Sequence, residues 1–304
     1  MREARRVAIF SDAPDWHARR LASALAARGV ASSVLSLMQC AFETGTPEGL
    51  RIPGFADRRP DGALIRLISA GTLEQITLRL GIIHAMEALG VVTYNDAGTL
   101  ERTVDKSMTS FLVHRAGLPT PPTWVTEDAE AAREIAAREI AAGEKLVLKP
   151  LFGAQGIGIQ LIETPALPPP DEVGGTYYLQ RYVDTGAGTW HDWRFLVVGG
   201  MPVAAMIRRG RHWSTNVMQG GICARTAPDG EPAAPAASAA RATGAAYAGV
   251  DICRGADGRF LVLEVNSVPA WKGLQSVTDF DVAQAIADNF LSRLSDAPTR
   301  AAAS

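Results

Sequence analysis

The strongest constraint on the fold comes from two apolar runs, residues 247–252 and 260–263, which are separated by the turn sequence Gly-Ala-Asp-Gly. Runs joined by such a turn predict a β-hairpin. Successive strand side chains point to opposite faces, so Glu264 and Asn266 would share a face, and Asp251 on the paired strand would join them. Three oxygen donors of this kind suit Mg²⁺, although a polar cluster at a sheet edge explains the triplet alone equally well.

The first hundred or so residues alternate short apolar strands with helical patterns. Strands are predicted over residues 6–10, 34–37, 62–66 and 91–94, and helices over residues 15–28 and 72–89. Strands that alternate with helices form parallel sheets that are covered on both faces. We therefore assign residues 1–102 to an N-terminal α/β lobe.

The remaining sequence predicts two further lobes of mixed helix and strand, a central lobe over residues 103–185 and a C-terminal lobe over residues 186–296. The predicted central elements are a helix over 103–116, a Pro-rich connector over 118–122, a helix over 128–142, and strands over 145–149 and 177–180. A helix over 280–294 closes the C-terminal lobe, and residues 297–304 are predicted to be a disordered tail.

Composition excludes several classes of partner. The formal net charge is −2, so no overall positive field would attract nucleic acid or an anionic membrane. No apolar run approaches the roughly 20 residues that a membrane helix needs, and the chain begins with a charged segment rather than a signal-type apolar one. The three cysteines are widely spaced and favour a reducing compartment. We expect a soluble, cytoplasmic protein.

A glycine-rich segment after the strand that ends at Lys149 has the composition of a phosphate-binding loop. Gly153, Gly156 and Gly158 would let backbone N–H groups approach a phosphate closely, and Lys149 would add a charge. The segment is neither a Walker A loop nor a dinucleotide fingerprint, because it lacks the GK[ST] ending and a strand follows it. A glycine-rich hairpin without a ligand remains an alternative, as does a solvated surface role for Lys106.

Charged and amide side chains follow on the next predicted strands. Asp192 and Arg194 share a strand face, either as a plain ion pair or as a ribose acceptor beside a phosphate or carboxylate clamp. Arg208 and Arg209 end the following strand on opposite faces, so only one of them would face a site. Asn216 lies in the next loop. The sequence has no GxSxG segment and no HxH or HxxxH spacing, which leaves metal-assisted phosphoryl chemistry as the coherent interpretation.

The order of these motifs resembles the ATP-grasp superfamily, and most closely its RimK-type amino-acid ligases. The resemblance covers nearly the whole chain and is carried by the blocks Leu64-Ile-Arg66, Asp105-Lys106, Leu148-Lys149-Pro150, Gly153-Ala-Gln-Gly156-Ile-Gly158, Gln180-Arg-Tyr-Val183, Asp192-Trp-Arg194, Asn216 with Gly220-Gly221, Gly249-Val-Asp251-Ile and Leu263-Glu-Val-Asn266-Ser-Val-Pro269. The last two blocks are the most specific. The resemblance implies an α/β ATP-grasp fold, in which an N-terminal parallel-sheet lobe precedes two α+β lobes that clamp ATP.

The resemblance also implies an activity and its partners. Ligases of this type use ATP and Mg²⁺, or Mn²⁺, to convert a carboxylate into an acyl phosphate, which an amine then attacks to form an amide or peptide bond. Glutamate or a similar amino acid ranks first as the amine, and the acceptor would be a small-molecule coenzyme or a protein C-terminus. A homodimer or homotetramer is expected.

Carried over to matching positions, the resemblance implies roles for individual residues. ATP contacts are implied for Lys106, Lys149, Gly153, Gln155, Gly156, Gly158, Gln180, Arg181, Tyr182, Val183 and Asp192. Magnesium ligands are implied for Asp251, Glu264 and Asn266. Catalytic roles at the acyl phosphate are implied for Arg194, Asn216 and one of Arg208 and Arg209.

Two regions depart from the family's pattern. Arg181 stands where the family usually has a glutamate, so an acidic side-chain contact to adenine is lost. Three basic residues of the family are missing between residues 214 and 219, and Arg211, His212 and Arg66 are the candidates to replace them. A non-catalytic ATP-binding regulatory module and a carboxylase-like or kinase-like enzyme remain the alternatives.

Overall fold

The computed structural model describes residues 4–153, 156–186 and 190–296. These residues form three main β-sheets and a two-stranded ribbon, with helices packed on the sheets. Gln155, one of the predicted ATP contacts, and the predicted tail over residues 297–304 lie outside the described residues.

The first sheet is parallel, as the alternating pattern predicts. Its elements and their neighbours are β1 (Arg6–Phe10), α1 (Trp16–Ala26), β2 (Ala31–Leu35), β3 (Ala41–Phe42), β4 (Leu50–Arg51), β5 (Gly62–Ile65), α2 (Leu73–Ala88), β6 (Val92–Tyr94) and α3 (Ala97–Val104). The strand order is β2-β1-β5-β6, and each pair is parallel. Strand β1 is buried from Val7 to Phe10 because apolar side chains pack on both of its faces.

The second strand ends earlier than the apolar pattern predicts. A strand is predicted over residues 34–37, whereas β2 ends at Leu35 and a short 3-10 helix follows. Ser36 causes the break, since its hydroxyl accepts from the Met38 N–H at 3.2 Å and the Gln39 side chain accepts from the Ser36 N–H at 3.3 Å. A local capping box therefore overrides the apolar run.

The second sheet is antiparallel and follows a helix. Its elements are α4 (Lys106–Arg115), β7 (Thr123–Thr126), α5 (Ala129–Ala141), β8 (Leu146–Lys149), β9 (Gln160–Ile162) and β10 (Tyr177–Arg181), in the strand order β7-β10-β8-β9. Helix α5 packs on one face, where Leu146, Leu148 and Leu179 are buried. Because strand side chains alternate, Lys149 and Gln180 lie on the opposite face.

The single helix predicted over residues 103–116 is in fact two helices. Asp105 ends α3 and is also the N-cap of α4, where its carboxylate accepts from the Ser107 N–H at 2.7 Å and from the Met108 N–H at 3.3 Å. Aspartate is among the residues that best satisfy the free N–H groups of a helix start. The break places Lys106 in the first turn of α4.

The third sheet is antiparallel and five-stranded. Its elements and their neighbours are β11 (His191–Val198), β12 (Met201–Arg209), β13 (Ile222–Thr226), α6 (Ala233–Thr243), β14 (Tyr247–Arg254), β15 (Phe260–Asn266), α7 (Lys272–Gln275) and α8 (Val282–Asp296). The strand order is β13-β12-β11-β14-β15. The alanine-rich helix α6 packs on one face. The other face packs on the first lobe through apolar side chains such as Leu196 and Met206, and carries charged side chains at the end of the strands near Asp192 and Arg208.

The first and third sheets are joined by a shared core and by a buried amide. Apolar residues of α8, Phe290 among them, pack with β1 and α1 in one cluster. Asn95 follows β6, is fully buried, and donates to the carbonyl oxygens of Tyr247 at 2.8 Å and Ser267 at 2.7 Å. The lobe boundaries at residues 102, 185 and 296 stay predictions. None of the helices in the described ranges combines the length and apolarity that a membrane span requires.

Candidate active site

The predicted hairpin is present and brings the three oxygen-bearing side chains to one face. Strands β14 and β15 are antiparallel, with Asp251 opposite Glu264 and Gly249 opposite Asn266. Asn266 is oriented by its own turn, because its amide oxygen accepts from the Val268 N–H at 2.9 Å. The predicted hairpin and the shared face of its side chains are therefore confirmed, and metal binding by these residues stays a prediction.

Four charged side chains on the same face form a buried network. Arg194 donates from Nε and Nη2 to the two oxygens of Asp251, each at 2.6 Å. Arg208 donates from Nη2 to Asp251 at 2.8 Å and binds Asp192 through both Nε and Nη2. Burial would raise the pKa of Asp251, but attraction and hydrogen bonds from the two arginines outweigh burial and hold that pKa well below its usual range.

The network decides which of the paired arginines faces the site. Arg208 is buried among the carboxylates, whereas its neighbour Arg209 is exposed on the other side of β12. Asp192, the predicted ribose acceptor, already accepts from Arg208 at both oxygens. Each carboxylate oxygen has a second lone pair, so a ribose contact at Asp192 stays a prediction that is compatible with the ion pair.

Lys149 lies on the second sheet, close to Glu264, one of the predicted metal ligands. Its Nζ donates to Gln180 Oε1 at 2.7 Å, and Gln180 in turn donates to Thr123 Oγ1 at 3.1 Å. Burial lowers the pKa of Lys149, and the nearby Glu264 carboxylate opposes that shift. A small cleft has Lys106, Lys149 and Glu264 among its lining residues.

The glycine-rich loop connects the central and C-terminal parts of the site. Lys106 Nζ donates to the Gly153 carbonyl at 2.7 Å. Gln219, one of the residues that depart from the family's pattern, donates from Nε2 to the Gly156 carbonyl at 2.8 Å. Gly156 and Gly158 have φ values of +73° and +76°, which glycine adopts without strain. The hydrogen bond from Gln219 therefore joins the glycine-rich loop to the segment around Gln219.

The hinge segment shows where the unusual arginine goes. Arg181 turns away from the cleft to α5, where it binds Glu139 at 2.6 Å and Glu144 at 3.3 Å. The backbone N–H groups of Arg181 and Tyr182 donate to carbonyls of neighbouring strands and loops. Residues 182–185, which include Val183, follow the end of β10 and belong to no strand. Arg181 thus neutralises a buried glutamate, and its adenine contact, like that of Tyr182 and Val183, stays a prediction.

Comparison with known proteins decides the family. A family model described as the RimK-like ATP-grasp domain matches residues 103–290, which is more than half of the chain. The chain belongs to the RimK-like ATP-grasp family. The family and the ligase class predicted from the sequence are thereby confirmed.

Similar proteins of this family are named as ligases. The tetrahydromethanopterin:alpha-L-glutamate ligase of Methanococcus maripaludis is 35% identical over 204 residues, which cover 65% of this chain and 68% of the relative. A probable alpha-L-glutamate ligase of Shewanella amazonensis is 30% identical over 297 residues, which cover 93% and 94% of the two chains. Both matches reach well into the ATP-grasp domain.

Solved structures confirm the ATP-grasp fold. The ATP-grasp ligase PsnB, in a complex with a minimal precursor, Mg and ADP, has a TM-score of 0.72 and 20% identity over 97% of this chain and 99% of that chain. The D-cycloserine synthetase DcsG has a TM-score of 0.69 and 19% identity over 95% and 99%. The parallel first sheet and the two antiparallel sheets therefore belong to one known architecture.

The oxygen donors of this RimK-like site fit a magnesium ion. Asp251, Glu264 and Asn266 offer two carboxylates and an amide, which are hard oxygen ligands. No group of three or more His, Cys, Asp or Glu side chains that could hold a metal occurs within the described ranges. The predicted ligand set contains two carboxylates and one amide, so it would not count as such a group. Its oxygen chemistry supports the predicted magnesium ligands, and the ligand set stays a prediction.

Sequence reasoning missed two residues at this ATP-grasp cleft. Tyr178 shares the face of Gln180, and its ring centre lies 5.8 Å from Lys149 Nζ. Cys253 shares the face of Asp251, and burial raises its pKa to about 12. Alternation along β10 and β14 is the signal that would have identified both side chains.

Proposed function

We propose that this ligase uses ATP and Mg²⁺ to join L-glutamate, or a similar amino acid, to a carboxylate-bearing acceptor. In the first step the γ-phosphoryl group of ATP is transferred to a carboxylate oxygen, which forms an acyl phosphate and releases ADP. In the second step the amine nitrogen attacks the acyl carbon, the bond to phosphate oxygen breaks, and phosphate leaves while the amine loses its proton. The observation that carries the proposal is the shared face of Asp251, Glu264 and Asn266, with Lys149 opposite.

The side chains of the site suit this chemistry. Lys106, Lys149 and the glycine loop would hold the phosphates of ATP, and residues 180–183 with Asp192 would hold its nucleoside. Bound Mg²⁺ would withdraw negative charge from the phosphates. Arg194 and Arg208 are fixed by hydrogen bonds before any substrate binds, so they are preorganised to stabilise negative charge that develops at the acyl phosphate.

The acceptor is proposed at the level of its class. Relatives are named as ligases that act on tetrahydromethanopterin with alpha-L-glutamate, and a structural neighbour is complexed with a precursor peptide. A coenzyme carboxylate or a protein C-terminus is therefore the proposed acceptor of this chain. We also propose a homo-oligomer and a cytoplasmic location, the latter because the described cysteines are free thiols.

A screen of ADP release tests the proposed function. Amino acids are crossed with carboxylate acceptors in the presence of ATP and Mg²⁺, and Cys40→Ser, which lies in the first lobe away from the cleft, is the control variant. We expect ADP release that requires both L-glutamate and one acceptor. ADP release that requires bicarbonate, or tight ATP binding without ADP release for any pair, would contradict the proposal.

A further inference from the structure

Arg66 is a buried arginine without a carboxylate partner. It is 6% exposed, its Nη1 donates to the Pro269 carbonyl at 3.1 Å, and its buried Nε has no partner among the described residues. Two other arginines with a buried, unpartnered Nε, namely Arg20 and Arg59, each form an ion pair with an aspartate or glutamate. Arg66 differs from them in having only a backbone carbonyl.

An acidic group near Arg66 is already engaged by other donors. Asp15 accepts from the Ala18 N–H at 2.7 Å and from His17 Nδ1 at 3.3 Å. Burial would raise the pKa of Asp15, but these bonds and the charge of Arg66 lower it. Burial and the Arg66 charge both lower the pKa of His17, so that ring adds no cation and accepts a backbone N–H at its Nε2. No ion pair joins Arg66 to Asp15 or to another carboxylate of the described residues, and a buried guanidinium without such a direct partner is costly, which points to an anion that is supplied from outside the chain.

The position of Arg66 places that anion beside the reaction site. Arg66 follows β5 at the carboxyl edge of the parallel sheet, where open α/β sheets bind their ligands. Its bonded partner Pro269 lies three positions after the proposed metal ligand Asn266. Pro269 also packs closely on Gly249. A Cβ atom placed on Gly249 would lie only 2.9 Å from Pro269 Cβ, and it would lie 3.9 Å from Arg194 Nε. Arg66 is therefore connected through Pro269 and Gly249 to the neighbourhood of Arg194, the arginine proposed to act at the acyl phosphate.

We propose that Arg66 binds a substrate carboxylate that does not react, and this inference rests on the proposed function. A guanidinium matches a carboxylate in shape and charge. Glutamate and a carboxylate acceptor together carry more than one carboxylate, of which only one becomes the acyl phosphate beside Arg194 and Arg208.

Steady-state kinetics of Arg66→Met and Arg66→Lys test this role. Arg20→Met is the matched control, because it removes an arginine of the same lobe that has a carboxylate partner. We expect the KM of one substrate to rise at least about tenfold in Arg66→Met with the KM of ATP unchanged, and Arg66→Lys to recover part of the loss. A rise for glutamate assigns its own carboxylate, and a rise for the acceptor assigns the acceptor's. Unchanged KM values for both substrates would overturn the proposal.

Thermal unfolding separates a binding role from a structural one. Removing an unpaired buried charge should leave the Tm of Arg66→Met equal to or above that of the wild type. A lower Tm together with unchanged KM values would show that Arg66 serves only to hold Pro269. If the wild type releases no ADP with any pair, the proposed function is wrong, and calorimetric titrations with L-glutamate and with each carboxylate acceptor, in the presence of Mg²⁺ and a non-hydrolysable ATP analogue, decide Arg66 separately. Binding of either substrate that Arg66→Met abolishes supports the role, and equal or absent binding of all of them overturns it.

Discussion

Asp251 and Glu264 are neighbours across one hairpin, yet they have different surroundings. Asp251 is buried, and its oxygens accept from two guanidinium groups. Glu264 is half-buried and takes part in no ion pair with another described residue. The two proposed metal ligands should therefore contribute equally to turnover and very unequally to stability.

Substitution of these two residues separates catalysis from stability. We predict that Glu264→Gln and Asp251→Asn both abolish Mg²⁺-dependent ADP production. Asp251→Asn should also lower the free energy of unfolding by about 3–5 kcal/mol, because it leaves two guanidinium groups without their carboxylate, whereas Glu264→Gln should change it by less than about 1 kcal/mol. Urea unfolding and an ADP assay measure the two effects. Near wild-type turnover in Glu264→Gln would remove the metal assignment, and equal stabilities would contradict the charge network.

Lys149 should bind ATP only in its protonated form. Its pKa is lowered by burial, so ATP affinity should fall as the pH rises through a value below the usual lysine pKa of about 10.4. Lys149→Met should weaken binding by about 2–3 kcal/mol and remove this pH dependence, whereas Lys149→Arg should extend binding to higher pH. Calorimetric titration with ATP across this pH range provides the test. An unchanged affinity in Lys149→Met would exclude a phosphate contact.

Residue-level prediction succeeded where the geometry is local. Glu264 and Asn266 are two positions apart on one strand, so alternation alone places them on one face. The choice of Arg208 over Arg209 and the pairing of Arg208 with Asp192 depend on the register between β11 and β12 and on burial by other lobes. Those contacts involve distant parts of the fold, which a local pattern does not contain.

At the scale of elements, a helix cap determines the position of Lys106, the lysine that we propose binds the phosphates of ATP. Asp105 caps α4, whose first residue is Lys106, and Asp128 caps α5 in the same manner with bonds to the Glu130 N–H at 2.8 Å and the Ala131 N–H at 3.1 Å. The two caps are chemically alike, but only the first belongs to the site. Substitution of each cap therefore tests whether the effect on ATP binding depends on the position of the cap.

We predict that Asp105→Ala and Asp128→Ala each lower the free energy of unfolding by about 0.5–2 kcal/mol, the usual loss for an N-cap. Asp105→Ala should also raise the KM of ATP, because the first turn that carries Lys106 loosens, whereas Asp128→Ala should leave it unchanged. Denaturation curves and ADP kinetics of both variants provide the comparison. An equal effect of the two substitutions on the KM of ATP would contradict a role for Lys106 at the phosphates.

Element boundaries were predictable except where a cap competed with an apolar run. Strands β1, β5 and β8 and helices α2 and α5 lie within two residues of their predicted ranges. Ser36 and Asp105 break a predicted strand and a predicted helix, respectively, by bonding to backbone N–H groups. Such side chains form hydrogen bonds with the backbone that compete with those of a continuous strand or helix. The periodicity of apolar residues does not reveal these hydrogen bonds.

At the scale of the whole molecule, Asn95 connects the first sheet to the hairpin of the site. Its amide nitrogen donates to two carbonyls, and its oxygen accepts from the Ala246 N–H at 2.6 Å and the Tyr247 N–H at 3.2 Å. We predict that Asn95→Ala lowers the free energy of unfolding by about 3 kcal/mol or more, because several buried polar groups lose their partners. Tyr94→Phe, which removes a hydroxyl from the same interface, should cost about 1 kcal/mol. Urea unfolding compares them, and equal losses would contradict the connecting role of Asn95.

The arrangement of the three sheets was predictable as a class but not in its contacts. Alternation of strands and helices identified the parallel sheet, and the motif order identified the family. The packing of α8 on β1 and the insertion of Asn95 between β14 and the first lobe join residues about 150 to 280 positions apart. Contacts of that range depend on tertiary packing, for which the sequence carries no short-range signal.

Isotope transfer from the acceptor tests the proposed acyl phosphate most directly. The acceptor carboxylate is labelled with oxygen-18, the reaction is run with ATP, Mg²⁺ and the amino acid found in the screen, and the inorganic phosphate is analysed by mass spectrometry. Because the carboxylate oxygen that attacks the γ-phosphoryl group leaves with it, one labelled oxygen should appear in each phosphate released. Amide formation without label in the phosphate would contradict a ligase that acts through an acyl phosphate.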